Sequence, residues 1–223
     1  MSTFDLATQS VRELNAQLHQ SGSGEITVVN PGGRHSVAVG AVDSHTVTIE
    51  GNVGYYCAGM NTSADIIING HAGPGLAENM ISGTVTVSGN ASQYCAATAH
   101  GGLIVIKGDA SSRCGISMKG VNIVVNGNVG HMSAFMAQKG TLVVCGDAGD
   151  ALGDSIYEAD LFVAGSVGSL GADCEEKAMD EQARELLGQL LEQSRSNQPL
   201  KSFKRYGSAR QLYHFNVDNA ASY

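Results

Sequence analysis

The stretch GNVGYYCAGMN (51–61) returns almost unchanged seventy-six residues later as GNVGHMSAFMA (127–137). Between and beyond these phrases a glycine stands every nineteen residues, at Gly51, Gly70, Gly89, Gly108, Gly127, Gly146 and Gly165. Four residues before each lies an aliphatic side chain: Val47, Ile66, Val85, Ile104, Ile123, Leu142 or Leu161. Two residues before each lies another: Ile49, Ile68, Val87, Ile106, Val125, Val144 or Val163. The residue between this second aliphatic and the glycine is mostly polar, so each period carries the two-residue alternation of a strand with one buried face. A sequence repeating at this interval is a solenoid, in which each period closes one coil and stacks on the last.

The rest of the period fits the same reading. After each glycine comes a short polar residue (Asn52, His71, Asn90, Asp109, Asn128, Asp147, Ser166), then Val or Ala, then Gly or Ser. Gly followed by Asn or Asp reads as corner chemistry, because both residue types tolerate positive φ. Seven residues after each glycine only Ala or Gly occurs: Ala58, Ala77, Ala96, Gly115, Ala134, Gly153, Ala172. That position is where the backbone closes on the core. Two helices do not fit in nineteen glycine-rich residues. The expected fold is all-β, a single-stranded parallel β-helix of seven 19-residue coils with an irregular first coil in 24–40. At the spacing of neighbouring strands, seven coils make a rod of roughly 34 Å.

Both ends of such a rod need covering, since a bare sheet edge invites aggregation. Residues 1–23 are expected to form an N-terminal helical cap. Ser10 and Glu13 have capping-box spacing, and Val11, Leu14 and Leu18 share a face. The coils should fill 24–174. A helix is expected in 175–199, with Met179, Ala183, Leu186, Leu187, Leu190 and Leu191 on one stripe. Residues 200–223 read as an extended arm holding five of the chain's twelve aromatics. Its Phe203, Arg205, Tyr206, Arg210, Tyr213 and Phe215 are of the types that favour interface cores, so a partner is one expected cover; folding back on the solenoid is the other.

Composition narrows the function classes. The chain has 223 residues and a formal net charge of −8, against a nucleic-acid groove. No window approaches the length of a membrane span, and the N-terminus lacks the basic start and apolar run of a secretory signal, so a cytoplasmic protein is expected. Five cysteines without a CxxC pair argue against a disulfide framework or a zinc knuckle. Cys57, Cys95 and Cys114 fall on one ladder and read as buried, reduced thiols. No phosphate cradle, nucleophile elbow or HExxH motif is present, and the seven histidines are scattered. Catalytic, cofactor-binding and metal-binding residues are therefore expected to be none.

One stripe stands out on the strand's outer face. Three residues before each glycine lie Thr48, Ile67, Thr86, Val105, Val124, Val143 and Phe162, of which five are apolar. An exposed apolar band is a surface for a helix, the arm or a partner. Ile67, Val105, Val124, Val143 and Phe162 are thus candidate interface residues.

These coils, together with VGYYCAGMN, RCGISMKG, VGHMSAFMAQKGTLVVCGDAGDALGDSIYEA and FKRYGSARQLYHF, resemble the GXGXG β-helix family across nearly the whole chain. That family includes the C-terminal domain of glutamate synthase and a subunit of formylmethanofuran dehydrogenase. The longer phrases are most similar to the β-helix subunit of N-methylglutamate synthase. The resemblance implies a non-catalytic scaffold subunit that holds a glutamine-amidotransferase-like subunit and an FMN-containing, glutamate-synthase-like subunit together. FMN and iron–sulfur clusters are implied in that partner and not on this chain. The reaction implied is methylamine plus L-glutamate giving N-methyl-L-glutamate plus ammonia. A formylmethanofuran-dehydrogenase-like complex and a stand-alone β-helix binding module are the alternatives.

Overall fold

A computed structural model describes residues 2–210. It is a parallel β-solenoid in which one strand per coil stacks into a continuous sheet. The first strand, β1 (Ser2–Asp5), precedes helix α1 (Val11–Leu18). The coil strands follow: β2 (Glu25–Val29), β3 (Thr46–Glu50), β4 (Asp65–Ile68), β5 (Thr84–Val87), β6 (Leu103–Ile106), β7 (Lys119–Val125), β8 (Lys139–Val144) and β9 (Asp160–Val163). Each pairs parallel with the next, and β1 extends the sheet beside β2. From β3 onward the aligned partners hold the nineteen-residue step, as in Val47 opposite Ile66, except at the start of β7, where Lys119 lies opposite Lys139 before the register shifts back. The first coil is looser, with Ile26 opposite Val47.

Both aliphatic ladders are fully enclosed or nearly so, from Val47 and Ile49 at one end to Leu161 and Val163 at the other. Each enclosed side chain stabilises by about 1.5–3 kcal/mol before ordering entropy is subtracted. A second line of parallel bridges joins Val53, Ala72, Ala91, Ala110, Val129, Ala148 and Val167, the small residues two places after each glycine.

The glycines have a different cause from the one expected. Gly51 has φ +133, but none of the other six repeat glycines has positive φ. They are required by close approach. A Cβ on Gly70 would stand 2.5 Å from the Gly51 carbonyl, and one on Gly89 would stand 2.8 Å from the Gly70 oxygen. The polar residue that follows does not need positive φ either. Its side chain accepts a backbone N–H from the next coil: Asn52 Oδ1 from His71, His71 Nδ1 from Asn90 and Asn90 Oδ1 from Asp109, at 2.9–3.0 Å. Asp109, Asn128 and Asp147 continue the ladder.

Left-handed backbone occurs instead on the far arc of each coil. In the coil of Gly89 it falls on alternate residues, Tyr94 (φ +61), Ala96 (φ +60) and Thr98 (φ +54). Alternating the two helical conformations flips successive peptide planes. The Tyr94 and Thr98 N–H groups donate to carbonyls of the following coil, and that of Ala96 donates to the preceding one. Every coil is thereby bonded to both neighbours on the side opposite the sheet. These hydrogen bonds offset a strain of about 1–2 kcal/mol per left-handed residue. The strictly small position is one of the three, where Ala58, Ala77, Ala96 and Ala134 combine positive φ with full burial.

The ends differ in part from expectation. Ser10 caps α1 in a complete capping box with Glu13, and Leu14 and Leu18 are buried, but β1 adds a strand ahead of that helix. At the other end Cys174–Lys177 is a strand, β10, and helix α2 begins only at Glu181 and ends at Gln193. Lys204–Ser208 forms β11, which pairs antiparallel with β9 and with β10. The start of the expected arm therefore folds back on its own solenoid and gives the β9 edge the partner it lacks.

Candidate functional site

The groups that could do chemistry are mostly engaged in holding the coils. His35 Nδ1 accepts the Tyr55 N–H and His71 Nδ1 that of Asn90. His19 Nε2 lies 3.0 Å from the Val39 carbonyl. His45 is buried, with neither ring nitrogen bonded among the described residues. All five cysteines are free thiols, four of them buried. Burial pushes the Cys57 thiol up to about 12, and the hydrogen bond to Cys114 together with burial pushes Cys95 well up. Burial also raises Cys145, and Cys174 to about 11. A reactive thiol needs the opposite shift. Among the described residues no three His, Cys, Asp or Glu side chains cluster as a metal site.

What the molecule offers is surface, in three places. The first is the apolar stripe on the sheet's outer face, and its cover comes from within. Helix α2 lies across the later coils, so that Val124, Val143 and Phe162 are buried in one cluster with Ala183, Leu187, Leu190 and Leu191. Asp180 caps the helix N-terminus by accepting the Ala183 N–H, which with Arg205 beside it holds that carboxyl below its usual range. At the other end the Lys107 ammonium donates to the Ser194 carbonyl at 2.6 Å. A helix of this length spans about 20 Å, or about four coil steps. Val105, near the helix end, is also buried.

Of the three covers expected for this stripe, a helix, the arm or a partner, the structure supplies the helix. Val124, Val143 and Phe162 are buried against α2, and Val105 is buried near its end, so none of the four is open to another chain. Ile67, beyond the helix, stays 37% exposed. It lines a groove of about 320 Å³ with Thr84, Thr86, Leu103, Val105 and Lys107.

The second place is the C-terminal ribbon. Phe203 is buried in the α2 cluster and Tyr206 in the solenoid core, so for these two candidate interface residues the cover is the chain's own solenoid, the second of the two expected, and not a partner. Arg205 joins three elements: its Nε donates to Asp160 at 2.7 Å and its Nη1 to Asp180 at 2.8 Å. Arg210 is mostly exposed and pairs with Asp173. A cleft of about 640 Å³ opens here, lined by Tyr157, Asp160, Lys177, Asp180, Arg205 and Arg210 among others. Tyr213 and Phe215 lie outside the described residues.

The third place was not singled out from the sequence, although both opening phrases fall on it. The left-handed arc carries Tyr55 (49% exposed), Met60 (47%) and Met136 (40%) on its outer side. Tyr55 stacks on Tyr56 with ring centroids 5.6 Å apart. The Arg113 guanidinium lies 5.9 Å from the centre of the Tyr94 ring on the coil below. The available signal was the concentration of Tyr, Met and Phe four to nine residues after the glycines. Reading it required knowing which arc residues turn outward.

Among the described residues no helix is long and apolar enough to cross a membrane. No family model matches the chain. Protein GlxC of Rhizobium meliloti (strain 1021) is 58% identical over 229 residues, covering 100% of both chains.

Proposed function

Since the chain belongs to the family of protein GlxC, we propose that it serves as the non-catalytic scaffold subunit of a glutamate-synthase-like enzyme complex. The observation that carries this reading is how the polar side chains of the coil corners are used. Imidazoles and carboxylates at His35, His71, Asp109 and Asp147 accept backbone N–H groups between coils, which stiffens the rod. Support comes also from the apolar and aromatic surface left open, at Ile67 and along the arc.

The finer reading rests on the resemblance of the long phrases to the β-helix subunit of N-methylglutamate synthase. The rod then holds an amidotransferase-like subunit and an FMN-dependent synthase subunit at a fixed separation, in the cytoplasm. FMN and iron–sulfur clusters reside in the synthase partner. The assembly exchanges the amino group of L-glutamate for methylamine, releasing ammonia and N-methyl-L-glutamate. Purification of the tagged chain from its native host, with mass analysis and a visible spectrum, tests the proposal. A yellow-brown complex with two further subunits is the expected result. A colourless chain that purifies alone refutes it.

A further inference from the structure

The arc surface has an internal order that the scaffold reading does not use. Tyr94, on the coil of Gly89, stands at its middle. One coil below is Glu78; one coil above is Arg113. Two coils below are Tyr55, Tyr56 and Met60, and two coils above are Met132, Phe135 and Met136. Three coils below is Arg34, and three above is Asp150, both exposed. Every apolar coil has an apolar coil at equal distance on the other side of Tyr94. Every cation has an anion there.

Such a surface is self-complementary when one copy is turned end over end against another. A two-fold axis crossing the rods at Tyr94 lays Arg113 of one copy on Glu78 of the other, and the reverse. It also lays Tyr56 against Met132, and Arg34 against Asp150. Isologous interfaces have this reciprocity: if one residue meets a second, the second meets the first. A side-by-side arrangement with both rods pointing the same way sets cation against cation and anion against anion, which is repulsive.

The side chains are disposed for this contact. The Glu78 carboxylate folds over Gly75, where its Oε2 would stand 3.1 Å from a Cβ on that glycine. That places it in the outward ladder to which Tyr56, Tyr94 and Arg113 belong. The carboxyl is partly buried, which raises its pKa, and among the described residues it forms no ion pair. Arg113 rests on Tyr94 and meets no carboxylate among the described residues. Within one chain the two charges are two coil steps, about 9.6 Å, apart along the rod, too far for an ion pair.

We infer that the Tyr94 arc is the interface of an antiparallel homodimer, with two reciprocal Glu78–Arg113 pairs set between clusters of Tyr, Met and Phe. Aromatics, Met and Arg are the residue types that interface cores favour. This inference is independent of which heterologous subunits the rod carries, and either can fail alone.

Analytical ultracentrifugation of the purified full chain tests it, with circular dichroism to verify that each variant is folded. The wild-type chain is expected at twice its 23.0 kDa mass. Arg113→Glu and Glu78→Arg should each weaken the dimer by on the order of tenfold or more, because each sets two like-charge pairs facing. The double swap Arg113→Glu/Glu78→Arg should restore it, since the new charges meet across the two-fold axis. A wild-type chain that stays single at about 100 µM, where even a weak dimer shows, overturns the inference. So does a dimer indifferent to Arg113→Glu, or one that the swap does not restore. A face that only a different subunit covers appears as the first of these results.

Discussion

Gly127→Ala tests the physical cause of the repeat. Gly127 lies in ordinary backbone, so an alanine there meets no conformational penalty of its own. Its methyl would stand 2.8 Å from the Gly108 oxygen and 2.9 Å from the Gly108 carbonyl carbon. Neither atom can retreat, because the Gly127 N–H is bonded to that same oxygen at 3.0 Å. The Asp109 carboxylate, which accepts the Asn128 N–H, blocks the other direction. To gain room the two coils must separate by a few tenths of an ångström. The cost combines overpacking, about 1–3 kcal/mol, with a weakened ladder hydrogen bond, about 0.5–1.5 kcal/mol. Taking about 3 kcal/mol, a chain of this size should melt roughly 6–12 °C lower. Gly24→Ala is the control, since a Cβ at Gly24 meets nothing within 4 Å and the backbone there is also ordinary. That variant should melt within about 2 °C of wild type, helped slightly by the lost flexibility of the unfolded chain. Thermal unfolding followed by circular dichroism reads both. If Gly127→Ala melts no lower than Gly24→Ala, close approach is not why the glycines are there.

Three further outcomes are expected. Leu187→Asp removes a fully buried anchor of α2 and should release that helix while the coils persist, because the α2 cluster is separate from the solenoid core. Hydrogen exchange should show protection in Glu181–Gln193 falling by on the order of 100-fold with β3–β6 unchanged; loss in both together would contradict the separation. The Cys57 thiol is held at about 12 by burial, above its ordinary 9.0, so its contribution is whole below pH 9 and declines as pH rises toward 12. Stability measured between pH 9 and 11 should therefore fall less steeply in Cys57→Ala, by about 1.4 kcal/mol per pH unit, and identical slopes would argue against a protonated buried thiol. His45→Leu replaces a buried ring without hydrogen-bond partners among the described residues and should raise stability by about 1 kcal/mol. A lower melting temperature would reveal a partner to that imidazole.

The sequence alone determined the coil. Seven copies of one phrase average out local noise, so the aliphatic ladders, the strictly small position and the nineteen-residue step were legible before any contact was known. It also determined the α1 cap, because a capping box is a contact between residues three apart. Tertiary structure decided what happens once rather than seven times. The stripe of α2 announced that the helix would dock, but an amphipathic pattern does not say on which surface, and Val124, Val143 and Phe162 proved to be that surface. Residues 174–177 and 204–208 carry little strand pattern of their own; they are strands because the β9 edge needs hydrogen-bond partners. The glycines were visible but their reason was not, since φ is a local property and the approach of Gly127 to Gly108 exists only between stacked coils. The outward side of the arc, with its ordered charges and aromatics, became readable only when alternating left-handed residues set which side chains leave the core.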